Sequence, residues 1–373
     1  MTKAKADAAR GPGVRSVLSR LLAGRPLDAA EAENLFTAFM EGRAAPEETA
    51  AALAALKVRG ETAAEVEGGV RALRSSMIRV ELTTRAPAGR RPGGGKPPDP
   101  PEELSRFPDL AGGAVDTCGT GGGALTTFNI STASAVLAAA GGVGIAKHGN
   151  RSFTSKSGSA DVLEALGIPI EVAPEAQAPL YAKRGFIFMF APAHHPAMRN
   201  VAGVRKALGV DTIFNMLGPL ANPAMVSRQV VGVADPEKLP LIADVLAGLG
   251  HERALVVHGT PGMDEISPLG PTDVIRVENG VAGADRLDPA DLGCPASGSA
   301  DDLAGGTPQD NAEVIEGVLA GNVGGAARAA VVLNAAAAFW AAGAVDDLQT
   351  GATLAERTID EGGAADKLAQ LRG

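Results

Sequence analysis

Between Asp116 and Thr132 the chain reads Asp-Thr-Cys-Gly-Thr-Gly-Gly-Gly-Ala-Leu-Thr-Thr-Phe-Asn-Ile-Ser-Thr. An apolar strand end, a glycine turn and a polar cluster (Thr127, Asn129, Ser131, Thr132) lead into an alanine-rich helix. That order aims unpaired backbone N–H groups and the positive end of a helix dipole at one point, a combination that binds phosphate. The glycines of 119–123 let the backbone approach an anion with no Cβ in the way. The expected chemistry is the handling of a phosphorylated small molecule. Gly119, Gly121 and Ala124 also fit a loose dinucleotide pattern, but no acidic residue follows at a distance suited to a ribose. The Gly-x-x-x-x-Gly-Lys-Ser/Thr string of a P-loop is absent from the sequence.

Three further groups could join that loop. Lys147-His148-Gly149-Asn150-Arg151 closes the next expected strand, and Ser152, Thr154, Ser155, Lys156, Ser157 and Ser159 follow it into a second helix. This reads as a second anion site beside the first, suited to a ligand with phosphates at two places. A polar surface loop is the simpler alternative, and His148 alone could serve only a local hydrogen bond. Asp264-Glu265 is an adjacent acidic pair on an expected loop. Such a pair can share a hard cation, and magnesium takes one or two carboxylates together with phosphate oxygens and water. Taken alone, it reads as surface. Arg205 carries the planar fork that matches a carboxylate, although a lone arginine is more often a surface residue. Cys118 and Cys294 have no base partner and read as inert.

These residues need a frame, and the sequence supplies an α/β one. Residues 14–80 read as four short helices. Asp28 with Glu31 and Thr62 with Glu65 have capping-box spacing, and Gly24, Gly42 and Gly60 stand where helices should stop. Four short apolar stripes bury little by themselves, so they must pack on the rest of the chain or on a second copy. Residues 83–110, rich in proline and glycine, read as a linker or solvated insertion. After residue 111 strands and helices alternate. Strands are expected at 114–118, 144–147, 186–190, 229–233 and 254–257. Helices are expected at 129–140, 159–166, 236–249, 312–319, 326–342 and near 353–371. The pattern is that of an α/β domain with a mostly parallel sheet, whose ligands sit at the carboxyl ends of its strands. The expected organisation is a helical domain at 13–82 with part of 196–222 packed on it, and an α/β domain at 111–373.

Bulk properties narrow the class. The 373 residues are 45% hydrophobic and 21% charged, which is a globular composition. A net charge of −9 and 3% aromatics argue against nucleic acid as a partner. Two cysteines form no disulfide or metal framework, which fits a reducing compartment. The polar N-terminus lacks a signal peptide's apolar core, and no run reads as long and apolar enough to span a bilayer. A cytoplasmic protein with no membrane partner is expected.

Together the motifs Cys118–Gly122, Phe128–Thr132, Lys147–Arg151, Ser157–Asp161, Thr212–Asn215 with Leu217–Leu220, and Asp264–Glu265 resemble those of the anthranilate phosphoribosyltransferase family. The resemblance runs from about residue 14 to the C-terminus, outside the linker. It implies a nucleoside phosphorylase-type fold with a small helical domain, a larger α/β domain and an active site in the cleft between them. It implies a homodimer formed through the helical domain, and transfer of a phosphoribosyl group from phosphoribosyl pyrophosphate to the amine of anthranilate in tryptophan biosynthesis. Gly119, Gly122, Gly123, Thr127, Asn129, Ser131, Thr132, Lys147 and Ser159 would hold phosphoribosyl pyrophosphate. Gly119, His148, Asn150, Arg205 and Gly218 would line the anthranilate path. Ser131, Asp264 and Glu265 would bind Mg2+. No residue is expected to act as a covalent nucleophile. One position departs from the family pattern, where Gly123 stands in place of the usual aspartate. Two alternatives share the fold: a pyrimidine nucleoside phosphorylase, and a non-catalytic relative that binds nucleic acid.

Overall fold

The structure is a computed structural model that describes residues 13–82, 113–152 and 156–373. The Pro/Gly-rich stretch therefore lies outside the described residues, as do Thr154 and Ser155. Four helices come first: α1 (Val14–Leu22), α2 (Ala29–Met40), α3 (Pro46–Arg59) and α4 (Ala63–Ser76). Both expected capping boxes form, Asp28 with Glu31 and Thr62 with Glu65. Helices α2 and α4 touch closely, since a Cβ on Gly68 would lie 2.4 Å from the Ala29 carbonyl oxygen.

A seven-stranded sheet follows, in the order β3-β2-β1-β4-β5-β6-β7. Its parallel part is β1 (Val115–Gly119), β2 (Ile145–Gly149), β3 (Phe186–Phe190), β4 (Arg228–Gly232) and β5 (Arg253–Gly259). Strands β6 (Thr272–Glu278) and β7 (Val281–Leu287) add an antiparallel hairpin at one edge, which the sequence reading did not include. The order reverses at β1: β2 and β3 lie to one side, β4 and β5 to the other. Open α/β sheets bind ligands outside the carboxyl ends of the strands at such a reversal. The glycine loop leaves β1 at that point.

Strand periodicity divides the core. Val230, Leu255 and Val257 face one layer, with α5 (Ile130–Ala140), α6 (Ser159–Ala165), α11 (Pro308–Leu319), α12 (Gly325–Ala342), α13 (Leu348–Asp360) and α14 (Gly363–Arg372). Val231, Ala254 and Val256 face the other, where α10 (Leu239–Gly248), the N-terminal helices and α8–α9 (Arg199–Leu208, Ile213–Leu220) share one core. Helix α7 (Pro174–Arg184) precedes β3. Two expectations change here. The helix expected near 353–371 is two helices, divided at Gly362, whose φ of 81° no continuing helix adopts. Helix α12, at 18 residues, is long and apolar enough to cross a bilayer, contrary to the sequence reading. In this fold 78% of it is buried, against α5 and the sheet, so its apolarity is that of a core helix.

Candidate active site

The site is built where strands end in glycine. β1 and β4 run side by side, with Gly119 paired to Gly232. The chain leaving β5 folds back across both ends. A Cβ on Gly232 would lie 1.5 Å from the Asp264 carbonyl oxygen, and one on Gly119 would lie 2.3 Å from Asp264 Oδ2. The Gly232 approach is to backbone and leaves no room for a Cβ, whereas a Cβ on Gly119 would displace the Asp264 carboxylate. The crossing brings the acidic pair to the glycine loop, and Gly121 N–H donates to Asp264 Oδ2 at 3.0 Å. Ala124 N–H donates to the Gly262 carbonyl at 3.0 Å, fastening the loop a second time.

Asp264 and Glu265 are half-buried at the surface of this crossing. Burial raises both carboxyls above the ordinary carboxylate range, Glu265 strongly so, and for Glu265 the adjacent Asp264 charge adds to it. Lys147 and Thr127 pull Glu265 the other way. Glu265 Oε2 is buried with no hydrogen-bond partner. Two carboxyl groups forced together with an orphaned oxygen form an oxygen donor set that suits a hard divalent cation. Ser131 and Thr117 line the same small cavity as the pair. Among the described residues no group of three or more His, Cys, Asp or Glu could hold a metal, so a cation here would need oxygens from a ligand as well.

Lys147 lies under the loop and is buried. Its Nζ donates to the Thr117 carbonyl and, at 2.8 Å, to Ser131 Oγ. Its counter-charge is Asp116, a fully buried carboxyl raised to about 6 by desolvation, with Lys147 opposing that rise. Asp116 accepts from Asn222 Nδ2 at 2.8 Å and from His148 N–H at 3.2 Å. Sequence reasoning did not single out Asp116 or Asn222. Their signal was a polar residue inside an apolar strand and the amide of Leu220-Ala221-Asn222-Pro223.

One cation expected at the second anion site is engaged elsewhere. Arg151 turns outward, and its guanidinium is taken by Asp161 and Glu164. His148 is held neutral, its titration pushed well below the ordinary histidine value by burial and by the neighbouring His195 and His194. Of that motif's cationic side chains, only Lys147 is free of an acidic side-chain hydrogen bond. Two residues of the helix entrance are also occupied. Asn129 Oδ1 accepts from Ser157 Oγ and Asn311 Nδ2, while its Nδ2 donates to the Ser157 carbonyl. Thr132 is buried, and its N–H bonds the Asn129 carbonyl. The Asn129 bonds tie the helix entrance to Ser157 and Asn311. Ser159 Oγ donates to the Asn150 carbonyl at 3.3 Å.

The opposite wall comes from α8 and α9. His148 bonds the Gly218 backbone and packs on His195 with ring centroids 5.0 Å apart. Arg205 lies over Phe214, 5.3 Å from its centroid, and donates to Asn215 Oδ1 at 3.4 Å. Asn215 Nδ2 donates to Asp211 Oδ1 at 2.8 Å, and Asp211 Oδ2 stands 3.4 Å from where a Gly122 Cβ would be. Asp264 thus meets the glycine loop, and Asp211, which holds Asn215 beside Arg205, stands next to that loop.

Comparison with known proteins agrees with this architecture. The helical bundle domain of a glycosyl transferase family matches residues 15–77, and that family's a/b domain matches residues 111–365. The anthranilate phosphoribosyltransferase of Rubrobacter xylanophilus is 46% identical, covering 94% of each chain. That of Thermomicrobium roseum is 45% identical, covering 96% of each. The chain belongs to the anthranilate phosphoribosyltransferase family. The crystal structure of the anthranilate phosphoribosyltransferase from Thermus thermophilus matches with a TM-score of 0.83 at 38% identity, over 95% of this chain and 98% of that one. The Saccharomyces cerevisiae anthranilate phosphoribosyltransferase shares the fold, with a TM-score of 0.81 at 24% identity and 96% coverage of each chain. Gly123 stands beside the acidic pair. A Cβ there would lie 3.1 Å from the Gly262 carbonyl and 3.5 Å from Asp264 Oδ1, so a side chain at 123 would point at the acidic pair.

Proposed function

We propose that this protein transfers the 5-phosphoribosyl group from phosphoribosyl pyrophosphate to the amine of anthranilate and releases pyrophosphate. The observation that carries the reading is the Gly121–Asp264 bond, which brings the glycine loop beside the acidic pair, as joint binding of a phosphate and a divalent cation would need. The amine nitrogen attacks C1 of the ribosyl ring. The C1–O bond breaks, its electron pair leaves with pyrophosphate, and the amine proton passes to solvent. Gly119, Gly122 and Gly123 offer backbone to the leaving pyrophosphate, with Thr127, Ser131 and Ser159 at its edge. Lys147 adds positive charge from beneath, and Asn129 and Thr132 complete the helix entrance that receives the pyrophosphate. Fixed donors in a water-poor cleft stabilise developing negative charge without reorganising. Asp264, Glu265 and Ser131 would hold Mg2+, which when bound would supply positive charge to the departing group. Arg205 presents its fork to the anthranilate carboxylate, while His148, Asn150 and Gly218 line the approach. Holding the amine against C1 supplies much of the rest of the rate.

We also infer a cytoplasmic homodimer formed through the N-terminal helices, where Leu22 and Val58 are 65% and 89% exposed. The decisive experiment follows anthranilate fluorescence on adding phosphoribosyl pyrophosphate and Mg2+. A phosphoribosyl pyrophosphate-dependent loss is expected. No loss, with cleavage of thymidine by phosphate instead, would overturn the assignment.

A further inference from the structure

Helix α12 carries an amide where its surroundings are apolar. Asn334 lies in the run Val-Val-Leu-Asn-Ala-Ala-Ala-Ala-Phe-Trp and is 5% exposed. A buried amide is costly unless its bonds are made. Here they are made, and two of the three go to one residue of another segment. Ile266 N–H donates to Asn334 Oδ1 at 3.0 Å, and Asn334 Nδ2 donates to the Ile266 carbonyl at 2.9 Å and the Ala330 carbonyl at 2.9 Å. Ile266 directly follows Asp264-Glu265. Its backbone pairs with the side chain as it would with a neighbouring strand. Asn334 also lines the cavity beneath the acidic pair, together with Ser131 and Ser134. On the other side the same segment rests on Gly119 and Gly232.

We propose that Asn334 is a positioning residue: by gripping Ile266 it sets the height and direction of Asp264 and Glu265 over the ends of β1 and β4. The proposal rests on the reading of that pair as a divalent-cation site. A side chain that orients ligands without touching the ion typically changes metal affinity by about 10- to 100-fold when removed.

The test is Mn2+ binding, read by the EPR signal of the free ion, with phosphoribosyl pyrophosphate present and anthranilate absent. The proteins are the wild type, Asn334→Leu, Asn334→Asp and, as a control, Leu333→Ala in the same core. Asn334→Leu should weaken Mn2+ binding by ~10-fold or more. Asn334→Asp keeps one acceptor and should weaken it less. Leu333→Ala should lose thermal stability while the folded protein binds Mn2+ as the wild type does. Equal affinity in wild type and both Asn334 variants would overturn the proposal. So would a change in Leu333→Ala as large as that in Asn334→Leu, or failure of both Asn334 variants to fold, because each assigns the amide to scaffolding alone. A wild type that binds no Mn2+ under these conditions would instead overturn the reading of the acidic pair.

Discussion

At the scale of single residues, Gly123 stands beside the acidic pair with no side chain of its own. A carboxylate there would stand beside Asp264, and the Gly262 carbonyl at 3.1 Å need yield only slightly. Gly123→Asp should lower the Mg2+ concentration for half-maximal rate, on the order of 3- to 10-fold for one added carboxylate near a cation. Overlapping magnesium profiles for the two proteins would refute this. His251 shows a second residue-level effect. It is buried, its Nδ1 bonds the Leu246 carbonyl, and its Nε2 has no partner. Burial and then the nearby Arg74 lower its titration from 6.5 to about 4. The folded state therefore keeps this imidazole neutral while the unfolded chain protonates it below 6.5. Its contribution to stability is complete above pH 6.5 and is lost as pH falls toward 4. At pH 5 the loss is roughly 2 kcal/mol. His251→Gln should shrink the drop in melting temperature between pH 7 and pH 5, and an unchanged drop would refute the assignment. The sequence made the glycine loop and Lys147 legible because types and spacing alone mark them. It could not show Asp116 with Asn222, whose bond joins residues 106 apart. Nor could it show that Arg151 is consumed by α6.

Single elements explain which parts of the fold were readable. The N-terminal helices announced themselves through caps, since a hydroxyl or carboxylate three residues before a glutamate satisfies free N–H groups locally. Glu65 then does more than its spacing suggested. It is fully buried and accepts from Leu27 N–H and Thr62 N–H, both at 2.9 Å, and pairs with Arg59. It thus fastens the start of α2 to the start of α4. Removing one partner of such a buried set leaves the others unpaired, at a cost of about 3 kcal/mol or more. Glu65→Ala should lower the melting temperature by several degrees, and a value matching the wild type would show that the contacts carry no weight. The β6–β7 hairpin stayed hidden for an opposite reason. β7 reads Val-Ala-Gly-Ala-Asp-Arg-Leu and is exposed up to Leu287, so no buried face impressed an alternating pattern on it. Helices α8 and α9 were legible only as motifs, because their apolar residues face a core supplied by the N-terminal helices.

Across the whole molecule, the fold sets two layers against one sheet and leaves the site at their junction. The helical layer reaches the glycine loop through Asp211, an exposed carboxylate beside Gly122. In the proposed reaction both substrates are anions, so a negative charge beside the glycine loop would repel each. Asp211 also holds Asn215, which receives Arg205, and burial lowers the Arg205 titration while Asp211 raises it. Asparagine at 211 keeps an acceptor for Asn215 and removes the charge. Two unit charges a few ångströms apart near a protein surface interact by a few kcal/mol before screening, so a several-fold effect survives in solution. Asp211→Asn should therefore lower KM for phosphoribosyl pyrophosphate and for anthranilate by about 3- to 10-fold at low ionic strength. The difference from wild type should fade as salt rises toward 1 M, where the Debye length is about 3 Å. If KM rose instead, and equally at all salt concentrations, Asp211 would be holding Arg205 in place through Asn215 more than it repels the substrates. The electrostatic account of the junction would then give way to a geometric one.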